Sequence, residues 1–518
     1  MILERAGTAI AMAAFGLVSL AGIWMRPLLP VDETRYLAVA WEMHLGGDWL
    51  VPHLNGAIYS HKPPLLFWLI DLTWAAFGVS ETAARLVGPA FGMATIAGTA
   101  VLARRLWPGE PGIGGRAALV LAGFGFFAIY AGLTMFDGLL AFAVLLGVLV
   151  LVVSGGSRRG WIGFGAALAL GGFAKGPVIL VHLLPVALSM PLWAGTRPGP
   201  MLGGLGHSLA VGLLLIGLWL VPALLAGGAE YREAVLWTQS AGRISGSFGH
   251  GRPWWFFLAM LPLVLWPWIW SGPLWSALRR LELRGERGLR LCAIWAGSAL
   301  VIFSLIEGKQ VHYLLPTMPA AALVVARAMG RAPWRARPAA VVPALVGAFL
   351  LALATGWAPD PNLARQAVPG WGVAVAGLLF LALAAAALRL RGVRLAALGF
   401  GFALAADALF LLSAAGSIQD PEPLAAAIAP HDGAGIAVLG RSYQGEFSFA
   451  GRLRNPVVAI GDLAAAEAWL AATPGAVLIA PLDRAHPQAE PAEVIAFRDE
   501  DYGLWTAPGG AVPPVKQP

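Results

Sequence analysis

Apolar and polar positions alternate along this chain in long blocks. Apolar runs recur from Gly7 to Leu412, each about twenty residues long, which is the length that a helix needs to cross the hydrocarbon of a membrane. The pattern predicts an all-α polytopic membrane protein with about thirteen crossings. The predicted spans are residues 7–28, 86–104, 117–135, 138–154, 160–174, 176–194, 205–227, 254–277, 291–306, 311–328, 338–357, 370–389 and 395–416.

The pattern changes near residue 418. From there to residue 518 the apolar runs are short and β-like (435–440, 456–461 and 476–481), and one helical run, 463–472, lies among them. Short strands that alternate with a helix predict a small α/β domain. We therefore predict two domains, a transmembrane domain over residues 1–417 and an α/β domain over residues 418–518.

Composition supports the membrane assignment. The chain has 518 residues, of which 58% are hydrophobic and 12% are charged, whereas about a quarter of the residues in a soluble chain are charged. The net charge of +7 does not indicate nucleic-acid binding, because the arginines lie in short loops between apolar runs, where membrane topology accounts for them. A single cysteine, Cys292, excludes a disulfide framework.

The arginine clusters predict the orientation of the chain, since basic loops stay on the cytoplasmic side. They comprise Arg104, Arg105 and Arg116; Arg158 and Arg159; the arginines of residues 279–290; those of residues 327–337; and Arg389, Arg391 and Arg394. With all of these inside, the N-terminus is cytoplasmic and the C-terminal domain lies outside. The apolar residues 64–78 then form an interfacial or re-entrant segment, with Asp71 at headgroup level.

This threading brings the unusual polar clusters to one outer face. They are residues 31–62, Asp137, Lys175, residues 231–252 and residues 307–313. Carboxylates and cations in loops that avoid the positive-inside bias predict one assembled site.

The first cluster begins with the motif DETRY at residues 32–36. Pro30 and the acidic residues favour a helix start here. In a helix Asp32, Arg35 and Tyr36 share one face, and Glu33 points elsewhere. A carboxylate beside an arginine stays ionised, which suits a base that accepts a proton from a hydroxyl. An acidic first turn with a local ion pair is the alternative interpretation.

Residues 60–64, SHKPP, hold a lysine at the membrane surface. Two prolines fix the backbone after Lys62, and a pre-positioned ammonium suits a lipid phosphate. A lysine that extends its ammonium to the interface is the alternative. Asp137 and Lys175 are single charges at span ends, and Lys309, His312 and Tyr313 precede an apolar helix.

Five histidines are candidate metal ligands. His44, His53, His61, His250 and His312 lie on the outer face, but their spacings match no zinc signature. A metal site would have to be assembled from residues distant in the sequence.

Taken in order, these motifs resemble the lipid-linked glycosyltransferases of the GT-C type. Within them the chain is most similar to the group of protein mannosyltransferases and bacterial aminoarabinose transferases, and above all to the latter. The resemblance covers most of the membrane region. It rests on DETRY (32–36), GDWLVPHLNG (47–56), KPPL (62–65), Asp137, FAKGP (173–177), Lys309 and YLLP (313–316).

The resemblance implies inverting transfer of a sugar from an undecaprenyl-phosphate-linked donor to an acceptor on the periplasmic side of the bacterial inner membrane. It implies Asp32 as the catalytic carboxylate and Asp137 as a second acidic residue. Cations near the leaving phosphate and a base near the acceptor oxygen agree with this chemistry. The candidate substrate-binding residues are Glu33, Arg35, Tyr36, Lys62, Lys175, Arg252, Lys309 and Tyr313.

The chain departs from the aminoarabinose transferases at His61. These enzymes usually carry Glu before Lys-Pro, at a position linked to metal binding. A divalent metal cofactor stays an open alternative, with His61 and His250 as candidate ligands. The acceptor is also open, since lipid A, a glycan or a protein all fit. A polyprenyl-lipid or glycan transporter remains the alternative function, and it would need ionisable residues at mid-membrane. Asp407 is the main residue of that kind.

Overall fold

The computed structural model describes residues 6–238, 251–330 and 334–507. Within these ranges nine helices are long and apolar enough to cross a membrane, and they coincide with nine of the predicted spans. They are Gly7–Met25, Glu81–Leu106, Phe136–Ser154, Pro198–Ala226, Arg287–Leu305, Val311–Met329, Arg337–Ala354, Gly370–Arg389 and Gly392–Leu412.

The other predicted spans are shorter, broken or more charged. Residues 160–174 lie within helix Arg158–Lys175, which carries three charged residues at its ends. Prolines and glycines break the remaining three, because they interrupt helical hydrogen bonding or allow close approach. Their helices are Ile113–Ala122 and Gly125–Tyr130; Val178–Leu188 and Met190–Trp193; and Phe256–Val264, Trp268–Trp270 and Gly272–Leu278.

Small residues let the helices approach closely. A Cβ placed on Gly399 would lie 2.2 Å from the carbonyl oxygen of Gly123, so the two backbones touch where helix Ala396–Leu412 passes the break after Ala122. Such small-residue contacts replace the hydrophobic driving force that is absent between helices in lipid.

The polar loop after the first helix folds into short elements. Helix Asp32–Gly46 is followed by a hairpin of strands β1 (His53–Leu54) and β2 (Ala57–Ile58), and then by helix Leu65–Phe77. The placement of Asp71 at headgroup level stays a prediction, and the structure shows that this residue is buried within the fold. The residue is 5% exposed and its carboxylate contacts the imidazole of His44, because helix Leu65–Phe77 packs onto helix Asp32–Gly46.

The C-terminal region contains the predicted α/β sheet. Strands β3 (Ile436–Leu439), β4 (Val458–Ile460) and β5 (Val477–Pro481), with helix Leu463–Ala472, match the predicted runs, and β3 pairs with both others in parallel. An antiparallel hairpin of β6 (Glu493–Phe497) and β7 (Glu500–Thr506) extends the sheet to the order β4-β3-β5-β7-β6. The domain boundary at residue 418 stays a prediction, and helix Ala414–Gln419 runs across it.

Shorter helices connect these parts. They are Gly228–Glu233, Ala234–Thr238, Pro361–Gln366, Glu422–Ile428 and Ala429–His431. Three of the nine long helices begin with a short stretch of tighter winding, namely Val311–Thr317 before Met318–Met329, Arg337–Ala340 before Val341–Ala354, and Gly392–Leu395 before Ala396–Leu412.

Candidate active site

Helix Asp32–Gly46, here called the Asp32 helix, carries the DETRY motif in its first turns. It begins with two acidic residues, which the helix N-terminus stabilises, and it ends at Gly47 in the left-handed conformation (φ 67°). The hydroxyl of Tyr36 donates to Asp32 Oδ1 at 3.1 Å, and Arg35 Nη1 lies 4.0 Å from the same oxygen. The predicted shared face of Asp32, Arg35 and Tyr36 is therefore present, and the Asp32 side chain remains 49% exposed.

Asp137 lies at the centre of a second group. Lys175 Nζ is 2.6 Å from Asp137 Oδ1, and His312 Nε2 is 3.8 Å from Asp137 Oδ2. The ammonium of Lys175 also sits 4.7 Å from the centre of the Tyr313 ring, which is a cation–π distance. Both members of the Asp137–Lys175 pair are buried, with side chains 5% and 7% exposed. Three distant segments of the chain therefore meet at one buried carboxylate.

Phe136 joins the two groups. The Tyr36 ring meets the Phe136 ring edge-on at 4.9 Å, and Lys62 Nζ lies 5.9 Å from the Phe136 ring centre. Burial, followed by the negative charge of Asp32, raises the pKa of Tyr36 well above its ordinary value of 10.0. Tyr36 thus stays protonated and donates its hydrogen bond at neutral pH.

The guanidinium of Arg35 is only partly satisfied. Among the residues that the structure describes, no hydrogen-bond acceptor meets its buried Nε, although its Nη1 approaches Asp32. A buried cationic donor without an acceptor is costly. An anionic ligand at this position would supply the missing acceptor.

Glu33 lies outside this cluster, so its geometry does not support substrate binding. It is 2% exposed, and its carboxylate accepts from the backbone N–H of Thr134 at 2.9 Å and pairs with Arg26 at 3.4 Å. Burial raises the pKa of Glu33, but the charges of Arg26 and Arg85 and its backbone hydrogen bonds outweigh it, so the pKa lies below the ordinary 4.5. Because it follows Asp32 by one residue, Glu33 is rotated about 100° around the helix axis from Asp32 and lies on a different face.

Among the residues that the structure describes, Lys309 and Arg252 make their contacts with groups other than the carboxylates of Asp32 and Asp137. Lys309 is 4% exposed, and its ammonium donates to the backbone carbonyls of Ile306 and, at 3.0 Å, Arg252. It thereby ties the end of helix Arg287–Leu305 to the segment at residue 252. The Arg252 guanidinium is exposed and stacks 5.5 Å from the Phe256 ring centre. For Lys309 the contacts indicate a structural role, and its contact with substrate stays a prediction.

A metal centre finds no support in the described ranges. No three histidine, cysteine, aspartate or glutamate side chains gather there as ligands. His61 is exposed and packs beside Tyr59, with 5.2 Å between ring centres. The other candidate, His250, lies outside the described residues.

His312 is the site residue that the sequence did not single out. The sequence places it among five outer histidines and beside Lys309 and Tyr313 but not among the predicted site residues, yet it contacts Asp137 directly. The signal was its place in KQVHY, between Lys309 and Tyr313, but neither periodicity nor spacing connects this segment to Asp137.

This chain is similar to known proteins in sequence and in structure. Residues 61–220 match the family model described as dolichyl-phosphate-mannose-protein mannosyltransferase. The chain is 34% identical over 334 residues to an undecaprenyl phosphate-alpha-4-amino-4-deoxy-L-arabinose arabinosyl transferase of Pseudomonas aeruginosa, covering 63% of this chain and 60% of that protein. A second transferase of that name, from Pseudomonas fluorescens, is 32% identical over 324 residues, with coverage of 60% and 56%. The chain therefore spans about 60% of the length of the curated relatives that it matches.

The solved structures decide the fold. The crystal structure of ArnT from Cupriavidus metallidurans bound to undecaprenyl phosphate superposes with a TM-score of 0.73 at 22% identity, over 96% of this chain and 98% of that one. The chain has the GT-C fold of ArnT. The resemblance drawn from the sequence motifs is confirmed at the level of the fold, and the nine long apolar helices in the described ranges are those of a multi-pass membrane protein.

Proposed function

We propose that this chain transfers a sugar from an undecaprenyl-phosphate-linked donor to an acceptor on the periplasmic side, with inversion. The observation that carries the proposal is the half-exposed carboxylate of Asp32 beside Arg35, within one aromatic-lined cluster that also holds Lys62 and the Asp137–Lys175 pair. The names of the curated relatives and the ligand of the ArnT crystal structure support an undecaprenyl-phosphate donor.

The chemistry divides between a base and a set of cations. Asp32 accepts the proton of the acceptor hydroxyl as that oxygen forms a bond to the anomeric carbon, and the bond from this carbon to the phosphate oxygen breaks. The leaving undecaprenyl phosphate gains negative charge, which cations stabilise where it develops. Arg35 and Lys62 are the cations that we assign to this phosphate.

Asp137 serves this chemistry indirectly. Its carboxylate is buried against Lys175, so it is poorly placed to take a proton from an acceptor. We assign it to holding Lys175 and His312 in place, with Tyr313 under the Lys175 ammonium. The Lys175 ammonium then adds positive potential on the phosphate side of the site.

The identities of the sugar and the acceptor are proposed on the names of the relatives and on the sequence resemblance. The names of the relatives support 4-amino-4-deoxy-L-arabinose as the sugar. The acceptor that we propose is a lipid of the lipid A kind, and a glycan or a protein are the outcomes that an acceptor screen would distinguish from it. The N-terminus is proposed to be cytoplasmic and the C-terminal domain periplasmic, from the positions of the arginine clusters.

A transporter is not favoured, because the main mid-membrane charge has a structural partner. Arg26 Nε donates to Asp407 Oδ1 at 3.1 Å, and Arg26 also pairs with Glu33. This acid is therefore bound in an internal network and does not line a transport path.

Purified protein in detergent, given a radiolabelled undecaprenyl-phosphate sugar and a lipid acceptor, tests the function. We expect free undecaprenyl phosphate to be released in proportion to labelled acceptor. Lipid that is bound but never cleaved, with any acceptor offered, would contradict the proposal.

A further inference from the structure

The Asn-Gly turn of the β1–β2 hairpin lies between the Asp32 helix and the C-terminal domain. Asn55 and Gly56 both have left-handed backbones (φ 56° and 75°), the conformation that a two-residue hairpin turn demands and that Asn-Gly favours. The turn therefore projects the Asn55 side chain at a defined place.

The Asp32 helix contacts this turn from one side. The carboxylate of Glu42, ten residues after Asp32 on the same helix, accepts from the backbone N–H groups of Asn55 and, at 3.0 Å, Gly56. Charge-assisted bonds of this kind are stronger than neutral ones. The turn and the helix are thus coupled through Glu42.

The C-terminal domain contacts the turn from the other side. Asn55 Nδ2 donates to the carbonyl oxygen of Val457 at 2.8 Å, and the N–H of Val457 donates to Asn55 Oδ1 at 2.7 Å. Both bonds reach the backbone directly before β4 (Val458–Ile460). The Asn55 amide thus pairs with Val457 as a neighbouring strand would.

Residues 445–457, here called the docking segment, continue this contact along the Asp32 helix. The indole of Trp41 donates to the carbonyl oxygen of Leu453 at 2.8 Å, and Phe449 stacks on Trp74 at 5.1 Å with ring planes 4° apart. The Arg452 guanidinium lies 3.8 Å from the centre of the Phe449 ring. Because Trp74 belongs to helix Leu65–Phe77, the docking segment holds both helices that flank Lys62.

We propose that the docking segment and Asn55 form a clamp that sets the position of Asp32, Arg35 and Lys62 relative to Asp137. Asn55 is then a positioning residue, since it touches neither carboxylate of the site. The inference rests on the proposed function for its consequence, while the clamp itself is a property of the fold. It gives the C-terminal domain a role in the donor site.

Asn55→Gly tests the clamp, because glycine keeps the left-handed turn and removes both bonds to Val457. Asn455→Gly is the matched control. Its side chain lies in the docking segment, and within the described ranges it bonds only to Asp432 of the C-terminal domain. Hydrogen exchange of residues 32–46 and affinity for undecaprenyl phosphate are measured for both variants and for the wild type.

We expect Asn55→Gly to speed exchange of residues 32–46 and to weaken lipid-phosphate binding, each by about tenfold, as the loss of two hydrogen bonds implies. Asn455→Gly should leave both within about twofold, as for a surface position. Unchanged exchange in Asn55→Gly, or equal changes in both variants, would overturn the clamp. A wild type that binds no undecaprenyl phosphate would contradict the proposed function alone, because the exchange comparison still decides the clamp.

Discussion

At the scale of single residues, the Asp137–Lys175 pair illustrates how a buried charge constrains a site. Removal of one partner leaves an uncompensated charge, which costs about 3–5 kcal/mol. We expect Lys175→Met to lower the free energy of unfolding, measured by thermal unfolding in detergent, by that amount. The double variant Asp137→Asn with Lys175→Met should recover most of it without recovering transfer. If Lys175→Met were as stable as the wild type, the buried charge of Asp137 would not need Lys175 to compensate it.

Arg35 and Lys62 are predicted to bind phosphate. A hydrogen bond to a charged group contributes about 1.5–3 kcal/mol, so Arg35→Ala and Lys62→Ala should each weaken binding of undecaprenyl phosphate about tenfold to a hundredfold. Titration calorimetry or a fluorescent-lipid assay measures this change. Arg105→Ala, an exposed arginine in a predicted cytoplasmic cluster, is the control. Unchanged affinity in both site variants would leave them as interfacial anchors.

The residue types of the donor site were predictable from the sequence, whereas their partners were not. DETRY has the periodicity of one helical face, and the structure confirms that Asp32, Arg35 and Tyr36 share it. The partners of His312 and Lys309 come from segments far apart in the chain. Hydrophobic periodicity gives no information about such contacts.

At the scale of elements, Glu33 connects the helix that carries Asp32 to the segment that precedes Asp137. It bonds Thr134, which precedes Phe136 and Asp137, so it fixes the spacing of the two segments. Because folding lowers the pKa of Glu33, the ionised carboxylate stabilises the fold at pH values above its ordinary pKa of 4.5. This stabilisation is lost as the pH falls through the pKa that Glu33 has in the folded state. The free energy of unfolding should therefore decrease on acidification below about pH 4.5.

Glu33→Gln isolates this contribution. The variant should be less stable than the wild type at pH 7, and the difference should shrink as the pH falls, when measured by thermal unfolding in one detergent across pH. A difference that is constant with pH would indicate that the Glu33 charge has no part in stability.

The element boundaries also mark the limits of sequence patterns. The predicted crossing at 254–277 carries no charged residue, but prolines break it into helices Phe256–Val264 and Gly272–Leu278. Strands β6 and β7 were missed because Arg498 occupies the left-handed turn between them (φ 58°). Glycine or asparagine is the usual signal for such a turn.

At the scale of the whole molecule, the orientation in the membrane rests on the arginine clusters. In a Cys292→Ser background, a membrane-impermeant thiol reagent added from the periplasm should label a cysteine at Gly46 or Gly433 and not one at Gly285. A Cβ at Gly46 or at Gly433 meets no neighbouring atom within 4 Å, so these substitutions fit the fold. Labelling at Gly285 alone would show that the predicted orientation is inverted and that the site faces the cytoplasm.

Sugar transfer by Asp32→Asn decides whether Asp32 is the catalytic base. Asparagine keeps the shape and an acceptor for Tyr36 but removes the base, which commonly costs about a hundredfold to ten-thousandfold in rate. An exposed ion pair contributes only about 0.2–1 kcal/mol. Asp48→Asn is the matched control, because Asp48 accepts only from the backbone N–H groups of Leu50 and Val51 among the described contacts. With folding and lipid-phosphate binding verified, we predict a loss of at least about a hundredfold in Asp32→Asn alone. Transfer within a few-fold of the wild type would contradict the account.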